Sequence, residues 1–141
     1  MWKIDKPLYG SIEIDDLERM RPRLTPGDIL AIDSGAAAKV GTPDYDRHPA
    51  LSVAAAQWLV RQQVKLVAVD MPTPDIALDR RPDGFIWPVH RALLQDGVLI
   101  AEQVTNLESL AGARAEFMFC PLNIADCDGA PARVLARPIG D

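Results

Sequence analysis

The run "VKLVAVD", Val64 to Asp70, constrains the fold more than any other stretch of this chain. Apart from Lys65 it is apolar without alternation until the final carboxylate, so a strand made from it is expected to be covered on both faces. Such a strand needs layers on either side, and the flanking sequence offers them. In "PALSVAAAQWLVRQQ", Ser52 is a plausible N-cap, and Val53, Ala56, Leu59 and Val60 repeat at helical spacing with Trp58 on one flank. A helix is predicted there, leading directly into the run. Upstream, "GDILAIDSG" reads as a second buried strand, and "DDLERM", after "SIEI", as a small helix closed off by Pro22.

Beyond a proline-rich loop, "HRALLQDGVLIAE" predicts a helix rising from His90 through Leu94 and stopping near Asp96-Gly97, where glycine suits the left-handed position after a helix end. "VLIAE" then runs back as a strand of similar length, which brings His90 and Glu102 to the same side. A helical turn in "NLESLAG" and two strands, "RAEFMFCPLN" and "ARVLARPI", complete the chain. Strand and helix alternate, so the expected class is α/β, in a single domain spanning residues 1–141. In open α/β sheets ligands bind outside the carboxyl ends of the strands. Asp70 and Glu102 both stand at such ends. The alternative for each is an ordinary solvated carboxylate.

Composition narrows the function. Twenty acidic against 15 basic residues give a net charge of −5 with no basic run, which argues against nucleic acid. No apolar stretch approaches the roughly 18 residues of a membrane span, and "MWKIDKPLYG" lacks the apolar region of a secretory signal, so a cytoplasmic setting without membrane contact is expected. Cys120 and Cys127, in "CPLNIADC", are too widely spaced for a redox pair and are read as reduced, structural thiols. The 12 prolines fall between the patterned segments, as loop formers do.

The order of five segments, "GDILAID", "HPALSVAAAQWLV", "VAVDMPTPD", "HRALLQDGVLIAEQVTNLESL" and "CPLNIADCDGAPARVLA", resembles the metal-dependent cyclase or kynurenine formamidase-like hydrolases over nearly the whole chain. The resemblance implies a swivelling β/β/α domain and a zinc- or manganese-dependent hydrolase of a small amide, of the kind that releases formate from N-formylkynurenine. It also implies that His90 and Glu102 are metal ligands. A divalent ion held there would activate water for attack on a carbonyl.

The family's N-terminal "HxGTHxDxP" segment is absent; His48 and His90 are the two histidines, and His48, in "HPALS", is read as a structural or loop residue. The chain thus looks like the C-terminal two-thirds of a full member, N-terminally truncated. Two ligands hold a divalent ion weakly, since catalytic sites use about three protein ligands plus water. The expected partners are a second copy of the chain, paired along an uncovered sheet edge, or another polypeptide supplying the missing segment. The alternative is a non-catalytic remnant or interaction protein that keeps the fold. Ala50 stands where the family commonly has glycine, and Thr73 where it has serine, with its hydroxyl retained. Asp70 and Thr73 are candidates for the substrate pocket. Phe85 and Trp87 offer aromatic walls for a planar aryl substrate, or else pack over the core beneath a loop.

Overall fold

The computed structural model describes residues 1–139. In chain order its strands and helices are β1 (Trp2–Lys3), β2 (Ser11–Ile12), α1 (Ile14–Arg19), β3 (Ile29–Asp33), β4 (Ala50–Leu51), α2 (Val53–Arg61), β5 (Leu66–Val69), α3 (Pro88–Leu94), β6 (Leu99–Ala101), β7 (Ala115–Pro121) and β8 (Ala132–Pro138). The main sheet has the order β1-β3-β5-β6 and is parallel throughout. The expected α/β class is the one observed.

All four residues of β5 are buried, as the unbroken apolar run requires. Alternate positions go to opposite layers, following the period of two in a strand. Leu30, Ile32, Val67 and Val69 face Ala55, Ala56, Leu59, Val89 and Leu93 of α2 and α3. Ala31, Leu66 and Ala68 face Val104, Leu107 and Leu110, with Phe117, Phe119 and Val134 of the β7–β8 hairpin closing that side. The antiparallel hairpin is therefore a third layer, with Phe117 opposite Ala136 and Phe119 opposite Val134.

Helix α2 starts as expected: the Ser52 hydroxyl oxygen accepts from the Ala55 N–H at 3.1 Å. Its buried stripe is Ala55, Ala56 and Leu59, and Val53 is 39% exposed. At 100° per residue Val53 lies roughly 110° from the centre of that stripe, so the expected inward position of Val53 is corrected. Helix α3 begins at Pro88, two residues before the expected start, because proline suits the first helical position and a distant carboxylate caps the next two N–H groups. Its end follows expectation, with Gly97 at φ 77° and the Val98 N–H bonding Leu93 O at 3.0 Å. Cys120 and Cys127 are unpaired and exposed, so they pack into no core and the structural role expected of them does not hold. No helix among the described residues is long and apolar enough to cross a membrane.

Asp70 ties the carboxyl ends of β3 and β5 together. It is 2% exposed, and its carboxylate accepts from the Ser34 N–H (2.9 Å), the Ser34 hydroxyl (2.7 Å) and the Ala37 N–H (3.1 Å). Removing a buried charged acceptor leaves its donors unsatisfied. Asp70→Ala is expected to destabilise the chain by about 2 kcal/mol or more in a denaturant titration.

Candidate functional site

The strand β5 ends in the loop "MPTPD", which is held against β4 by the Leu51 N–H bonding Pro74 O at 2.9 Å. Within it the Thr73 hydroxyl oxygen accepts from the Asp75 N–H at 3.2 Å, a local turn that points the Asp75 side chain under the start of α3. Asp75 is 1% exposed. One carboxylate oxygen accepts from the Val89 N–H at 2.9 Å; the other accepts from the His90 N–H at 3.0 Å and from His90 Nδ1 at 2.7 Å. A carboxylate only accepts, so Nδ1 carries the proton and the other ring nitrogen, Nε2, is turned outward.

His90 Nε2 lies 3.4 Å from Glu102 Oε1. Glu102 follows β6, and the chain is pinned just beyond it: Gln103 turns at φ 58°, its N–H bonds Met71 O at 3.0 Å, and the Val104 N–H bonds Val69 O at 2.9 Å. The helix from His90 and the strand to Glu102 thus return to one point, the path expected from their lengths. The Asp75 hydrogen bond, reinforced by Glu102, raises the His90 pKa to about 9. Burial opposes ionisation of Asp75, but His90 and the two backbone N–H groups outweigh it and hold that carboxyl below its ordinary range.

Two cavities meet at this pair. One, of about 820 Å³, has His48, Thr73, Arg81 and Trp87 in its wall beside His90 and Glu102. The other, of about 1060 Å³, runs along the edge strand β6 and beneath the hairpin, between Leu94 and Leu99 on one side and Phe117 and Phe119 on the other. Trp87 is 42% exposed and meets His90 edge to face, with ring centroids 5.3 Å apart. Phe85 packs against Trp87 at 5.6 Å and stays out of the wall. Asp70 is likewise absent from the wall of either cavity; its oxygens face Ser34 and Ala37.

Three residues of the site carried no assignment from sequence as site residues. Asp75 lies in the "MPTPD" loop, but nothing local links it to a histidine 15 positions on. His48 is structural in that its Nδ1 donates to Pro49 O at 2.7 Å, yet it also forms part of the cavity wall. Burial first, and the Arg81 charge in addition, push its pKa down against the effect of the Pro49 bond, keeping the ring neutral. Arg81 reaches the wall through its stacking on Trp87.

The donor types at His90 and Glu102, an imidazole nitrogen and a carboxylate oxygen, suit a zinc- or manganese-type ion. Their number falls short: among the described residues no group of three or more His, Cys, Asp or Glu side chains is placed to hold a metal ion.

Comparison with known proteins gives a consistent picture. The family model described as "Putative cyclase" matches residues 2–76, 75 of the 141 residues, a span that includes Thr73 and Asp75 and stops before His90. A kynurenine formamidase of Bacillus cereus is 32% identical over 91 residues, covering 64% of this chain and 41% of that protein. Isatin hydrolase A of Labrenzia aggregata superposes with a TM-score of 0.81 at 18% identity, over 96% of this chain and 59% of that one. A potential metal-dependent hydrolase with cyclase activity superposes at 0.74 with 23% identity, over 96% and 62% respectively. These structural likenesses speak to the fold. The chain spans about two-fifths of the length of the curated relative and about three-fifths of the structural ones.

The His90 pKa has a consequence for the metal-free chain. An unfolded histidine titrates near 6.5 and the folded one near 9. The ion pair therefore contributes fully below about pH 6.5 and its contribution is lost as pH rises toward 9. The stability difference between the wild type and Asp75→Asn, from denaturant midpoints across this window, is expected to shrink steadily as pH increases.

Proposed function

This chain belongs to the cyclase family, and from that premise we propose that it is the metal-binding portion of a metal-dependent hydrolase acting on a small amide of the arylformamide type. The observation that carries this reading is the convergence of His90 Nε2 and Glu102 Oε1, 3.4 Å apart, in the wall of a cavity that Trp87 also lines. The names of the relatives agree with it, being a kynurenine formamidase and a potential metal-dependent hydrolase.

In this reading His90 and Glu102 hold a zinc or manganese ion, which when bound polarises a carbonyl and acidifies water. The chain's own residues do the positioning. Asp75 keeps the proton on His90 Nδ1, so Nε2 is the nitrogen that gives up its proton to a bound ion, and the ring is held from rotating away. The Thr73 oxygen is occupied as an acceptor, which leaves its O–H free to donate toward the cavity. Trp87 covers the outer side of His90 and offers a flat surface to an aryl ring. The proposed compartment is the cytoplasm, where the exposed thiols of Cys120 and Cys127 stay reduced.

The ligand count makes the site incomplete in one chain. The proposed remedy is a second polypeptide carrying an "HxGTHxD" segment, or self-association, along the uncovered edge of β6 and the apolar groove beside it, where Leu94 and Leu99 are 50% and 59% exposed. The shortage of ligands also favours the alternative, a non-catalytic member that keeps the fold. An arylformamide hydrolysis assay with added zinc or manganese separates the two. The isolated chain is expected to turn over substrate at trace level and a mixture with a polypeptide bearing the missing segment to turn it over readily, with His90→Ala abolishing the gain by removing a metal ligand. A mixture that stays inactive, or ignores His90→Ala, supports the non-catalytic reading.

A further inference from the structure

Arg81 lies in the wall of the cavity that holds His90 and Glu102. No carboxylate among the described residues lies within 4 Å of its guanidinium. Its Nε donates to Ile76 O at 3.0 Å, and its Cζ sits 3.9 Å from the centre of the Trp87 ring and 5.2 Å from that of Phe85. Backbone carbonyl and aromatic faces thus fix the plane of the group, while the two terminal nitrogens have no partner among the described residues. Of the carboxylates in the wall, Asp79 accepts from the Tyr9 hydroxyl at 2.6 Å, Glu102 faces His90, and Asp46 forms no ion pair with Arg81.

Trp87 connects this cation to the reactive pair. It precedes α3 with φ 53°, in the left-handed region that bulky side chains seldom occupy. Such backbone persists only where the surroundings enforce it, and it clusters at ligand sites. Here Pro88 follows and Asp75 caps the next two N–H groups, which turns the indole between Arg81 and His90. The guanidinium and the imidazole are one aromatic ring apart, across centroid distances of 3.9 and 5.3 Å.

We infer that Arg81 is a specificity-determining residue that receives a carboxylate carried by a planar aryl ligand, whose ring lies along Trp87 and whose neighbouring substituent points to His90 and Glu102. The inference deepens the proposed function and rests on its reading of this cavity as an aryl-amide site. A preorganised guanidinium with free terminal N–H groups pairs with a carboxylate bidentately, which a neutral group of the same shape cannot reproduce.

The test uses the metal-free chain and two probes of nearly equal shape, 2-aminobenzoate and 2-aminobenzamide, followed by calorimetry and ligand-observed NMR. The wild type is expected to bind the acid about tenfold more tightly than the amide, as one charge-assisted pair predicts. Arg81→Gln, checked for folding by thermal melt, is expected to remove that preference by weakening the acid alone. An acid preference that survives Arg81→Gln and vanishes in His90→Asn would transfer the role to the His90 imidazolium and overturn the proposal. So would equal binding of the two probes, or no binding of either. These outcomes are independent of the hydrolysis assay: a restored activity with no Arg81 effect would leave the hydrolase reading standing and remove only this one.

Discussion

The Asp75 carboxylate makes three contacts that fix the geometry of everything around it: the N–H groups of Val89 and His90, and the His90 ring. The first two supply the cap that α3 lacks in its own sequence, since Trp87 offers no side-chain acceptor at the N-cap position. The third decides which ring nitrogen faces Glu102. One buried group therefore sets the start of the helix, the tautomer of the histidine and, through the enforced backbone turn at Trp87, the placement of the aromatic wall. A carboxylate buried this deeply is tolerated because it is paired with the His90 ring and accepts two further hydrogen bonds from donors that are otherwise orphaned.

Two buried carboxylates follow β5, and they do different work. Asp70, at the strand end, accepts three hydrogen bonds from the Ser34–Ala37 turn and joins two strands of the sheet. Asp75, five residues later, joins the loop to a helix and a side chain that faces a cavity. The proline-rich "MPTPD" between them has little freedom, and its tie to Leu51 holds both acids in register with the sheet. Rigid backbone near the carboxyl edge is what brings His90 and Glu102, from separate elements, within 3.4 Å of each other.

Much of this was legible in the residues and some was not, for physical reasons. The unbroken run Leu66–Val69 announced a strand covered on both sides, and it is buried at every position. The equal lengths of helix and returning strand announced that His90 and Glu102 would meet. Pairings two residues long, such as β1 on β3 and β2 on β4, leave no periodic trace. Val53 shares the helical spacing of Ala56, Leu59 and Val60, although the stripe that packs is made of Ala55, Ala56 and Leu59. The strand-end rule drew Asp70 toward a pocket, whereas the donors of Ser34 and Ala37, distant in sequence, draw it into the framework. Asp75 and Arg81 leave no sign in the sequence because both act through tertiary partners, a helix start and a pair of aromatic rings, that no local pattern encodes.

The central claim is that Asp75 presents His90 to a metal through Nε2 alone, with Nδ1 kept protonated. Zinc titration of the chain labelled with nitrogen-15, read through the long-range couplings of the imidazole ring, tests it directly. The account predicts that the His90 Nε2 resonance shifts as zinc is added while Nδ1 stays protonated, and that Glu102→Gln weakens the response. A shift at Nδ1 with loss of its proton, or a His90 ring indifferent to zinc while His48 responds, would contradict it.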